Sequence, residues 1–169
     1  MVLEVSQLNG AAIRSADGKK LSEVDRVIFD GDKVRIVGFQ TKERAILTRF
    51  GRLDFDLTLA VLPGEIVIDN QKSIQRDLKL FDQLRRQYGD VIGVVAKTES
   101  GLKIGKITDL VFDTETGLII RFYLGQFWRE RIIPRQFLVA ITPKQIVFKD
   151  LVTKPIFDQL ATAGAGVGS

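Results

Sequence analysis

Two residue types are missing from this 169-residue chain: it holds no cysteine and no histidine. Without cysteine there are no disulfides and no thiolate metal sites. Without histidine the commonest general base, the commonest metal ligand and the usual triad base are gone together. Serine and lysine remain, but no nucleophile–base motif is assembled from them, so catalysis is not expected. Proline occurs four times and tryptophan once. No apolar run approaches a membrane span; the longest, LTLAVLPGEIVI at 57–68, is interrupted by Pro63, Gly64 and Glu65. The first residues, MVLEVSQLNG, do not have the charged-then-apolar form of a signal peptide.

What is present is ample core material and a mild basic excess. Hydrophobic residues make up 45% of the chain, charged residues 27%, and the net charge is +4. That excess is smaller than a dedicated nucleic-acid protein usually carries.

The chain says the same thing twice. GAAIRSADGKKLSEVDRVIFD at 10–30 matches GVVAKTESGLKIGKITDLVFD at 93–113 without a gap, at an offset of 83. LPGEIVI at 62–68 matches TPKQIVF at 142–148 at an offset of 80, and LFDQL at 80–84 matches IFDQL at 156–160 at 76. Three ordered blocks indicate a duplicated unit, and the long period predicts that each copy is a domain with its own core. Each copy reads as about six short strands separated by turn clusters, Ser15–Gly18 in the first and Thr98–Gly101 in the second. An antiparallel series of that length can close on itself and lose its edges. The apolar residues Ile104, Ile107, Leu110 and Phe112 break a strict two-residue alternation, which predicts a bulge or sharp coil near Gly105.

Ile74, Leu78, Phe81, Leu84 and Tyr88 share one helical stripe, which predicts a connecting helix with Asn70 or Ser73 at its start and Gly89 at its end. Thr153 and Pro155 predict a second, shorter helix before a flexible Gly/Ala tail. The expected divisions are 1–70 for the first β unit, 71–89 for the amphipathic helix, 90–151 for the second β unit and 152–169 for the short helix and tail.

Some residues could carry chemistry and are read first as structure. Asp30 with Asp32, and Asp113 with Glu115, lack the other ligands of a calcium loop and serve as turn residues. Asp54 and Asp56 lack a second catalytic group. The constellation that stands out is basic and aromatic. Arg49 and Arg52 in the first copy, with Arg121, Trp128, Arg129, Arg131 and Arg135 in the second, form the expected partner-binding set. Arg49 falls on Arg129 at the offset of 80, whereas Trp128 falls on Thr48. A core position in a duplicated fold stays apolar in both copies, so Trp128 is expected at the surface, where an aromatic beside arginines marks a contact.

The segments LNGAAI…DGKKLSEVDRVIFD and IGVVA…SGLKIGKITDLVFD resemble the PRC-barrel signature: a Gly-opened strand, a turn with glycine, and a strand ending in an apolar–Asp pair. The second copy matches better, with Gly101, Gly105, Asp109 and Asp113 in place; the first has Ser22 and Arg26 where Gly105 and Asp109 stand. The family includes the cytoplasmic domain of the photosynthetic reaction-centre H subunit and the C-terminal domain of the ribosome maturation factor RimM. The resemblance implies a mainly β protein of two tandem small barrels, each followed by a helix. It also implies a non-enzymatic adaptor or assembly factor docking on a larger complex, photosynthetic membrane complexes among the candidates. The alternative it implies is an RNA- or ribosome-associated maturation factor. No cofactor, metal or small-molecule substrate is expected, nucleic-acid contact is expected to be weak, and a membrane surface is expected to be reached through a partner. The expected location is cytoplasmic, at the periphery of a membrane complex.

Overall fold

The computed structural model describes residues 1–165. It is mainly β, with two mixed sheets and two helices. In chain order the first half contains β1 (Val2–Glu4), β2 (Ala12–Ser15), β3 (Lys20–Asp30), β4 (Arg35–Glu43), β5 (Arg49–Asp54), β6 (Thr58–Leu62), β7 (Glu65–Ile68), β8 (Ile74–Gln75) and α1 (Lys79–Tyr88). The second half contains β9 (Val95–Thr98), β10 (Lys103–Asp113), β11 (Ile119–Gln126), β12 (Arg129–Pro134), β13 (Leu138–Ile141), β14 (Gln145–Phe148) and α2 (Phe157–Ala165). The tail expected after α2 falls on 166–169, outside the described residues.

The duplication is visible strand by strand. One sheet runs β6-β7-β2-β3-β4-β5, the other β13-β14-β9-β10-β11-β12. The pairing registers agree: Val27 faces Phe39 as Leu110 faces Phe122, and Ile13 faces Ile66 as Ala96 faces Ile146. Even the bulges recur, between Val24 and Arg26 in one copy and between Ile107 and Asp109 in the other. The coil expected near Gly105 is a register shift between Lys103 and Gly105, and Gly105 has φ +137. A Cβ there would stand 2.7 Å from the Gly125 carbonyl oxygen, so the site needs glycine for space as well as conformation.

Three expectations are corrected. The series is not wholly antiparallel, because β2 pairs with β7, and β9 with β14, in parallel. Nor does either sheet close through a hydrogen-bonded ladder; β6 and β13 end their sheets, each paired on one side. Parallel pairing joins strands far apart in sequence, and strand composition carries no sign of direction. The connecting helix begins at Lys79. Asn70 instead caps a short 3-10 turn by accepting from the Lys72 N–H, and Ile74 is buried in β8, paired with Leu53 of β5. The expected end holds, with Gly89 at φ 72 closing α1 on the Arg85 carbonyl.

The halves meet about a local pseudo-dyad. Arg35 and Leu118, equivalent at the offset of 83, face each other in an antiparallel bridge. Ile36 N–H donates to the Gly117 carbonyl at 2.8 Å, and Ile119 N–H to the Val34 carbonyl at 3.0 Å. β1 also crosses over and pairs with β10 of the second half, Leu3 opposite Phe112. Where the repeat suggested one core per copy, the buried apolar residues of both halves join in a single cluster.

Candidate functional site

The change of offset from 83 to 80 has a structural address. β4 and β5 are joined by five residues, Arg44–Thr48, whereas β11 and β12 are joined by two, Phe127–Trp128. The three lost residues lie in this hairpin. Both loops present large apolar side chains to solvent: Ile46 is 104% exposed and Leu47 76%, Phe127 91% and Trp128 98%. Each is followed by an exposed arginine, Arg49 or Arg129, and these two are equivalent. Among the described residues neither arginine has a carboxylate within ion-pair distance.

Phe127 and Trp128, which open the apolar segment FWRERII, are not part of a strand. Phe127 has φ +54 and with Trp128 makes the turn itself; β12 starts at Arg129. A two-residue hairpin needs the left-handed region, which glycine normally supplies, and a phenylalanine there is strained. RAILTRF likewise gives only its last two residues to β5, the rest being loop. Aromatic and β-branched residues read as strand formers in sequence. The drop of three in offset is the signal that could have located the tips.

The expected partner-binding residues separate into two groups. Arg49, Trp128 and Arg129 are exposed at the hairpin ends. The other four are engaged or partly covered. Arg52 donates to Asp54 at 2.7 and 2.9 Å and lies 5.4 Å over the Phe81 ring, fastening α1 to the first sheet. Its hydrogen bonds to Asp54 hold the guanidinium pKa above its ordinary value. Arg131 donates to the Val152 carbonyl and lies 5.7 Å over the Phe157 ring, fastening α2 to β12. Arg135 donates to the Lys33 carbonyl at 3.3 Å, a contact between the halves. Arg121 is half-buried within β11, opposite Pro134.

The collars behind the tips differ. In the first half Arg44 pairs with Glu23 at 3.5 Å, Lys20 with Glu23 at 2.7 Å and Arg76 with Glu43 at 2.8 Å. Hydrogen bonding and charge from Lys20, with Arg44 and Lys42 nearby, hold the Glu23 carboxyl below the usual range. At the equivalent positions of the second half Glu23 is replaced by Lys106 and Glu43 by Gln126. Lys106 lies opposite Gly125 at the base of the tip.

The carboxylates considered above as metal ligands or acid–base groups serve turns and ion pairs. Asp30 Oδ1 accepts from the Asp32 and Lys33 N–H groups at 3.0 and 3.1 Å, and Asp113 accepts from the Thr116 hydroxyl at 2.6 Å. Asp56 pairs with Arg35 at 3.0 Å.

A pair of pseudo-equivalent grooves flanks the sheet edges, about 450 Å³ beside Leu59 and Glu115 and about 510 Å³ beside Val139 and Asp32. Bulges at both edges, between Thr58 and Ala60 and between Leu138 and Ala140, interrupt the ladder there. Such bulges protect an edge from further strand pairing. Among the described residues no helix is long and apolar enough to cross a membrane. No protein-family model and no curated protein matches the chain.

Proposed function

We propose that this chain is a non-enzymatic adaptor or assembly factor that docks on a larger complex through its two hairpin ends. The observation that carries this reading is the persistence of one chemistry through the duplication. The loops differ in length and share no sequence, yet each keeps two adjacent, solvent-exposed, large apolar residues with an arginine close behind. Burial in the chain's own core explains none of these four side chains. Exposed apolar groups beside arginine are the residue types that dominate binding energy at protein interfaces. β4 and β11 start from the antiparallel Arg35–Leu118 bridge and each ends at its own tip, so one molecule carries two contact ends.

The finer fold reading is proposed with it. The matching strand orders, the shared bulges and the Gly101, Gly105, Asp109 and Asp113 spacing support two tandem PRC-type barrels. The resemblance puts photosynthetic membrane complexes among the docking targets, with the RNA-associated reading as the alternative.

The test is affinity capture from the native cell, comparing the parent with Ile46→Ser/Leu47→Ser and with Phe127→Ser/Trp128→Ser. Truncating an interface anchor costs about 2 kcal/mol, roughly thirtyfold in affinity, so at least one double variant should lose a defined set of proteins. Retention of every protein by both variants refutes the hairpin ends as docking sites. Recovery of ribosomal components, released by moderate salt, would support the RNA-associated alternative.

A further inference from the structure

The two hairpin ends are not chemically alike. The first is aliphatic, and its collar is tied into the fold by Glu23 and Glu43. The second is aromatic, Phe127 and Trp128 sit on a turn only two residues long, and neither packs on the chain. Its collar has lost both carboxylates. Lys103, Lys106 and Arg129 are exposed around it with no ion-pair partner among the described residues. Glu130 is the carboxylate that remains beside them.

We infer that the Phe127–Trp128 hairpin inserts into the headgroup region of an anionic lipid bilayer, with Lys103, Lys106 and Arg129 on the lipid phosphates. This rests on the reading of the hairpin ends as docking sites and specifies what one of them meets.

Three observations support a bilayer over a protein pocket. Tryptophan and phenylalanine at a protruding tip suit the membrane–water interface, where an indole keeps its ring in the apolar layer and its N–H in the wet one. Unpaired cations close behind the tip match an anionic surface, while the net charge of +4 favours approach to it. The tip itself offers two apolar side chains, and its neighbours along the chain, Gln126, Arg129 and Glu130, are polar or charged and exposed. A protein hot spot is usually ringed by further contacts that exclude water. With this end in the bilayer, the Ile46–Leu47 end remains for a protein.

Trp128 is the chain's one tryptophan, so its emission reports this tip alone. The full chain is titrated with vesicles of phosphatidylcholine containing phosphatidylglycerol at about 30 mol%, which gives the surface a negative potential. A blue shift of Trp128 emission is expected, with a partition constant on the order of 10⁴ M⁻¹, the strength of a single marginal anchor. Lipids brominated in the acyl chain should quench it. Phe127→Gly keeps the reporter, removes apolar area and relieves the positive φ, so it should melt no lower than the parent and partition about tenfold more weakly. Lys106→Gln/Arg129→Gln should lose the preference for anionic over neutral vesicles.

No shift and no co-sedimentation with anionic vesicles overturns the inference, as does equal binding to pure phosphatidylcholine. A shift produced by a purified protein complex but not by vesicles overturns it in favour of a protein contact, and leaves the docking role of the hairpin ends standing.

Discussion

Arg129 and Arg131 stand two apart on one strand, and replacing them should have opposite consequences. Arg131 donates to the Val152 carbonyl and stacks at 5.7 Å on Phe157, whose ring meets Phe137 edge-on at 5.1 Å. Removing it leaves the Val152 carbonyl without its charged donor and frees α2 from β12. A hydrogen bond to a charged group contributes about 1.5–3 kcal/mol and a cation–π contact at a partly exposed site about 0.5–1 kcal/mol. Arg131 is only half-buried, so the lower end of each range applies and Arg131→Ala should cost about 2 kcal/mol. For a chain of this size each kcal/mol moves the melting midpoint by roughly 2–4 °C, which gives a fall of about 4–8 °C. Among the described residues the Arg129 side chain has no hydrogen-bond or ion-pair partner, so Arg129→Ala should change stability by less than about 0.5 kcal/mol. Calorimetry on the two single variants makes the comparison. An Arg131→Ala protein melting within about 2 °C of the parent would refute the structural role of Arg131. A comparable fall for Arg129→Ala would refute the claim that its side chain is free for a partner.

Other perturbations follow from the same contacts. Gly105→Ala places a Cβ 2.7 Å from a backbone carbonyl at φ +137, and should destabilise by about 3 kcal/mol or prevent folding, whereas Gly18→Ala, with open space, should cost only about 1 kcal/mol. Leu3→Ala should cost about 2–4 kcal/mol and, in hydrogen exchange, loosen β10 of the second half, because Leu3 is buried against that strand. The hydroxyl of Thr116 and the Glu115 and Thr116 N–H groups lower the folded pKa of Asp113. Its stabilisation is therefore present above the unfolded value and lost as pH falls through the folded one, below about pH 4. Asp113→Asn should flatten that part of the acid-unfolding curve.

The repeat, its turn clusters and the coil at Gly105 were legible because they are local: matching letters, glycine at turns, a broken alternation. The parallel β2–β7 and β9–β14 pairs and the crossing of β1 onto β10 were not, because long-range partners leave no mark on a short apolar segment. Ile74 fitted the helical stripe of α1 equally well as a strand residue; burial beside β5 decided it. Trp128 was legible as a surface residue through its unequal partner Thr48. Phe127, Ile46 and Leu47 were hidden because strand-forming residues at a hairpin tip look like strand. Arg49, Arg129 and Arg131 were indistinguishable as letters; only the presence of Phe157 and the Val152 carbonyl beside one of them assigns it to the fold.

Photo-crosslinking in the native cell tests the hairpin ends most directly. A photoreactive amino acid is placed at position 47, at position 128, and at two exposed control positions, 72 and 149. The account predicts a recurring protein adduct at 47 and a lipid or protein adduct at 128, both absent from the controls. Adducts at the controls as abundant as those at the tips, or none at either tip, would contradict it.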